Sequence, residues 1–76
     1  MNADRRKRIA ELRGQLESIV SQIETLGEEE RGAYDGLPEG LQSAPNGEKM
    51  EAAATALETA AEQVQEAIDS LNEAAE

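Results

Sequence analysis

Cysteine, histidine, phenylalanine and tryptophan are all absent from this chain, and Tyr34 is its entire aromatic complement. Without cysteine there is no disulfide and no thiol nucleophile, and zero cysteine suits a reducing compartment. Without cysteine or histidine there is no tetrahedral structural zinc site, no Ser-His-Asp triad and no Glu-x-x-His di-iron pair. One tyrosine gives nucleic-acid bases no platform to stack on. The glycines fit neither a GxxxxGK[ST] nor a GxGxxG cradle for phosphates. Carboxylates abound, but they read as exposed helical acids with no apolar pocket to raise a pKa for acid-base work. No enzyme, cofactor or metal site is expected.

Long apolar runs are missing too. No stretch approaches the roughly 20 residues of a membrane span, and "MNADRRKRIAEL" lacks the apolar core of a signal peptide. Bases are scarce, at 7 against 17 acids and a net charge of −10. The imbalance is graded along the chain. Asp4 to Glu28 is neutral, with five bases and five acids, Glu29 to Gly47 carries −3, and Glu48 to Glu76 carries −7 with Lys49 as its lone base. Such a surface repels phosphates and anionic membranes, so neither direct nucleic-acid binding nor membrane binding is expected. The expected setting is cytoplasmic.

What is present is heptad patterning. Ile9, Leu12, Leu16, Ile19, Ile23 and Leu26 alternate steps of three and four, an a/d seam that Val20 widens. Asp4 or Asn2 is suited to cap the start, and Gly27 and Gly32 bracket the expected end. Gly14 falls on the outer face. A second seam runs through Met50, Ala54, Leu57, Ala61, Val64, Ile68, Leu71 and Ala75. Beside it Ala53, Ala60, Ala67 and Ala74 recur every seven residues. That row reads either as simple helix propensity or as a groove for close helix packing. The pattern predicts an all-α antiparallel hairpin, with one helix over 4–31, a linker over 32–46 holding a helical turn at 38–42, and a second helix over 47–75. The antiparallel pairing would set Arg5, Arg6, Lys7 and Arg8 against Asp69, Glu73 and Glu76, relieving the dipole mismatch at both helix ends. A nucleic-acid or targeting patch is the other reading of this basic run.

A chain of 76 residues has too small a core to be comfortable alone, and chains of this size are usually held by a disulfide, a metal or association. Association is what remains. Two hairpins packed as a homodimeric four-helix bundle would cover both apolar faces. Ala53, Leu57, Ala60, Ala61, Val64, Ala67, Ile68 and Leu71 are the expected packing residues.

The linker "YDGLPEGLQ" is richer than a spacer requires. Pro38 fixes φ at the start of a helical turn, Asp35 or Gly36 turns the chain before it, and Leu37 and Leu41, four apart, share one side. With Tyr34 they form either an apolar plug over the end of the bundle or an epitope for a partner. Ser43 or Asn46 is the expected cap of the second helix.

Tyr34, Asp35, Pro38, Glu39, Leu41 and Gln42, followed by an acidic helix ending "EAIDSLNEAAE", resemble a group of small phage and prophage proteins. In these an acidic helical hairpin surrounds a Tyr/Phe-Asp-x-x-Pro-Glu-x-Leu-Gln linker. The second helix departs from that pattern in its alanines. The resemblance implies a phage setting, with a bacterial cytoplasm as the location, and nothing catalytic.

One further pattern is independent of that likeness. Glu58, Glu62, Glu66, Asp69 and Glu73 form a single outer stripe, destabilising to its own helix by a few tenths of a kcal/mol per like-charge pair. Successive acids rise about 6 Å along the axis, close to the phosphate step of a nucleic-acid strand. The stripe reads either as a solvated face or as a mimic of nucleic acid. The mimic would occupy the basic groove of a host nucleic-acid-handling protein, such as a CRISPR effector or another defence nuclease. A scaffolding coiled-coil dimer is the alternative function.

Overall fold

The computed structural model describes residues 2–76. Two long helices, α1 (Ala3–Asp35) and α3 (Pro45–Ala74), fold back on one another around a four-residue helix, α2 (Glu39–Gln42). Among the described residues all regular structure is helical. The hairpin is a rod of 58 × 14 × 13 Å. Its radius of gyration is 17.2 Å, against about 11 Å for a compact chain of this length.

Asn2 caps α1, its Oδ1 accepting the Arg5 N–H at 2.8 Å, which satisfies one of the orphan donors of a helix start. The helix does not end by Arg31 as the glycines suggested. It runs through Gly27 and Gly32 to Asp35. No glycine takes a positive φ, the conformation by which a glycine terminates a helix. Gly27 is spent on packing instead. It is buried, and a Cβ built there would touch Leu57 Cβ at 3.5 Å. α1 stops only where Leu37, restricted by the following Pro38, must leave the helical region.

The start of α3 also differs from expectation. Ala44 occupies the cap position and makes no side-chain bond, while Ser43 closes α2 and Asn46 lies inside α3. Pro45 at the first helical position does the work, since its φ is already helical and it has no N–H to satisfy.

The two long helices meet along heptad rows. On α3 the rows Gly47, Ala54, Ala61, Ile68 and Met50, Leu57, Val64, Leu71 face α1, as the spacing predicts, and Ala54 and Ile68 are buried. On α1 the contact is displaced by one row from the expected seam. The residues turned to α3 are Arg13, Val20, Gly27 and Tyr34, flanked by Ile9, Leu16 and Ile23. Leu12, Ile19 and Leu26, the other half of the expected seam, stand 52%, 45% and 53% exposed. The row that meets α3 carries the small Val20 and Gly27, both buried, while the bulkier Leu12, Ile19 and Leu26 are left on the outside.

Register corrects one further expectation. Arg13 Nη1 donates to Asn72 Oδ1 at 2.8 Å, so the antiparallel pair is level there. Arg5 to Arg8 therefore lie beyond the last turn of α3, and among the described residues none of them pairs with Asp69, Glu73 or Glu76. The one ion pair in that run is local, Arg8 to Asp4 at 3.9 Å.

Candidate partner-binding surfaces

The loop end is tied together by backbone and amide chemistry. Gly36 N–H donates to Gly32 C=O and Leu37 N–H to Tyr34 C=O, both at 3.0 Å, and Pro38 C=O accepts from Leu41 N–H at 2.8 Å. Gln42 then reaches back, its Nε2 donating to the carbonyls of Tyr34 (3.2 Å) and Leu37 (3.3 Å). These bonds fix α2 on the end of α1. Tyr34 and Leu37 are half-buried, whereas Asp35, Pro38 and Leu41 are exposed. The Tyr34 phenol titrates above its ordinary value, chiefly through a hydrogen bond to Glu51 and secondly through partial desolvation. Leu37, Leu41, Pro45, Gly47 and Met50 line a shallow apolar cup beneath the loop.

About one turn in from the end of α1, Arg31 clamps the helices. Its guanidinium donates to Glu58 Oε1 at 2.9 Å and Oε2 at 3.3 Å, and to Thr55 Oγ1 at 3.2 Å. The bidentate pair raises the Arg31 pKa and lowers that of Glu58, hydrogen bonding being the larger cause in each. Sequence reasoning did not single out Arg31. Its signal was its position, since Arg31 is the one base between Glu29 and Gly47.

The acidic stripe is consequently not uniform. Glu58 is neutralised by Arg31. Glu62, Glu66, Asp69 and Glu73 are exposed and have no ion-pair partner among the described residues. Asp69 accepts a bond from Gln65 Nε2 at 3.2 Å. Across an open groove floored by Gly27 and Ala61, Glu24 and Glu28 of α1 face Glu58 and Glu62. The acidic side of the hairpin therefore draws on both helices, an arrangement invisible until the pairing register is known.

The opposite side is apolar. Going around α1 away from Glu24, the rows are Val20, then Ile9, Leu16 and Ile23, then Leu12, Ile19 and Leu26. Around α3, away from Glu58, come Ile68, then Leu57, Val64 and Leu71, then Ala53, Ala60, Ala67 and Ala74. Leu57, Ala61, Val64, Ile68 and Leu71 are shared with α1 inside the hairpin. Ala60 is half-buried, while Ala53 and Ala67 are exposed. In the described residues no helix is long and apolar enough to cross a membrane, and no three acids converge as metal ligands.

Fold and surfaces define an antiparallel helical-hairpin protein with one acidic and one apolar long face. No protein-family model, curated protein or solved structure matches the chain.

Proposed function

We propose that this protein acts by binding, as a homodimeric four-helix bundle whose acidic faces stand in for nucleic-acid phosphates. The target is a basic groove in a host nucleic-acid-handling protein. The observation that carries the reading is the set of exposed, unpaired carboxylates Glu62, Glu66, Asp69 and Glu73, flanked across the groove by Glu24 and Glu28. A solvated face kept for solubility normally mixes both signs, and α3 has Lys49 alone. The resemblance of the linker to phage hairpin proteins motivates a bacterial defence nuclease, such as a CRISPR effector, as the target and a bacterial cytoplasm as the place of action.

Capture from a bacterial lysate on immobilised protein tests this. The captured protein should be released by rising salt, because the attraction is screened over about 8–10 Å, and by competing DNA or RNA. Substitution of Glu62, Glu66 and Glu73 by lysine should abolish capture while the helical content holds. A captured protein that binds nucleic acid simultaneously and ignores salt would refute mimicry. A scaffolding dimer is the second reading, supported by the exposed Leu12, Ile19 and Leu26. It predicts assembly indifferent to those charge reversals.

A further inference from the structure

We propose that two copies pair through the apolar face with their loops at the same end, the Leu12, Ile19 and Leu26 ridge of each seated on the alanine row of the other. The inference rests on the dimer of the preceding subsection and specifies the surface and the geometry of that dimer.

The exposed area has room for a partner of standard size. The chain exposes 5362 Å², whereas a compact monomer of 8.2 kDa exposes about 4,500 Å² by the usual mass scaling. The excess reflects the rod shape, whose long apolar side offers area of the order that one protein contributes to a standard interface, about 800 Å².

Charge selects the face. The chain is 32% charged, yet from Ile9 to Leu26 and from Met50 to Ala74 the two rows of each helix on this side hold no charged residue. Beyond them the rim is polar but uncharged, with Gln15 and Gln22 on α1 and Gln63 and Ser70 on α3. Charge depletion at the centre with a polar rim is the anatomy of a protein interface. The face does not suit a basic or anionic partner, which the acidic side would attract or repel.

Register selects the second copy and its orientation. Arg13 bonds Asn72 and Arg31 bonds Thr55, so residues of α1 and α3 counted equally from either pair lie at about one level. From Arg31 and Thr55 the count reaches Leu26 with Ala60, then Ile19 with Ala67, then Leu12 with Ala74, each level to within about one residue's rise of 1.5 Å by the Arg13–Asn72 count. A twofold axis along the rod preserves levels and carries each α1 onto the partner's α3. Every large residue then meets the partner's alanine at its own level, and Gln22 meets the partner's Gln63. A twofold axis across the rod would set ridge on ridge and alanine on alanine, crowding one helix pair and leaving the other loose. An isologous interface requires self-complementarity, and the first arrangement alone has it at three successive heptads. Ile9, Leu16, Ile23, Leu57, Val64 and Leu71, half-buried in one hairpin, become the shared core.

The absence of native cysteine makes the test direct. Ile19→Cys and Ala67→Cys proteins are prepared separately, then unfolded together, refolded and oxidised, with mass followed by light scattering and non-reducing electrophoresis. The mixture should yield disulfide-linked pairs and neither variant alone should, since a bridge requires Cα atoms within about 7 Å. Self-linking of Ile19→Cys would overturn the orientation while leaving a dimer, as would a dimer mass with no linked pairs in the mixture. A mass of 8.2 kDa for the unmodified chain would overturn the dimer itself.

Discussion

Replacing Gly47 with alanine tests whether the loop end is held by contact rather than by chain connectivity. A Cβ built on Gly47 would lie 2.3 Å from the Leu41 carbonyl oxygen, 2.5 Å from that of Gln42 and 2.8 Å from the Gln42 carbonyl carbon. Ordinary contact begins at 3.4 Å, so α2 and the first turn of α3 must separate by about 1.1 Å, the difference between 3.4 and 2.3 Å. Every clashing atom is backbone, so no side chain can swing aside. Such overpacking costs about 1–3 kcal/mol, and alanine returns less than the about 1 kcal/mol of a mid-helix Gly→Ala change because residue 47 is in the first turn. A net loss of about 1–2 kcal/mol lowers the melting temperature by roughly 4–16 °C in a domain of this size. Thermal melting by circular dichroism at fixed protein concentration is the assay, concentration being fixed because association shifts apparent stability. Gly14→Ala is the control. Its Cβ meets nothing within 4 Å, so the melt should rise by about the helix-propensity gain of 0.5–1 kcal/mol. A Gly47→Ala protein that melts at or above the unmodified temperature would refute the reasoning.

Gly27→Ala should also stabilise, by about 0.5–1 kcal/mol, because its Cβ makes an ordinary 3.5 Å contact with Leu57; a lower melt would show that α3 needs a closer approach there. Gln42→Ala should lower stability by about 1–2 kcal/mol, since the half-buried amide answers two carbonyls, and chemical denaturation measures it. The pH dependence follows from Glu58, whose pKa Arg31 depresses below the ordinary 4.5. The folded state holds this proton more weakly than the unfolded chain, so the stabilisation is present above about pH 4.5 and lost as pH falls through the folded value. The stability gap between the unmodified protein and Glu58→Gln should therefore close on acidification below pH 4.5, and a gap independent of pH would contradict the pair. Added salt at neutral pH should raise the melt, because Glu62, Glu66, Asp69 and Glu73 repel one another through water.

The hairpin was legible in the sequence because both helices repeat every seven residues and no cysteine or histidine competed for the explanation. The α3 seam was legible in full, its apolar row being unbroken. The α1 contact row was not, since Arg13, Val20, Gly27 and Tyr34 contain one aliphatic residue among four. Periodicity reports which residues avoid water and is silent on which neighbour covers them. The strongest seam of α1 is consequently divided, with Ile9, Leu16 and Ile23 half-buried against α3 and Leu12, Ile19 and Leu26 exposed. The end of α1 lay beyond the expected one because a glycine inside a helix and a glycine that terminates one look alike in sequence. The acidic stripe was legible as a spacing, but the neutralisation of Glu58 and the opposing Glu24 and Glu28 depend on register, which no local pattern encodes. Leu37 and Leu41, four apart in sequence, line the same cup, with Leu37 half-buried and Leu41 53% exposed.

The uneven distribution of ties along the rod sets an order of folding. Gln42 reaches Tyr34 across eight residues and Arg31 reaches Thr55 across 24, while Arg13 and Asn72 are 59 apart. Loop closure costs more entropy the longer the loop, so the Tyr34–Gln42 turn is the least costly of the three ties to close and is expected to form first. The helices then zip outward through Arg31 towards Arg13. Unzipping runs the other way, and amide hydrogens of the first and last turns should exchange long before those around Gly27 and Ala54.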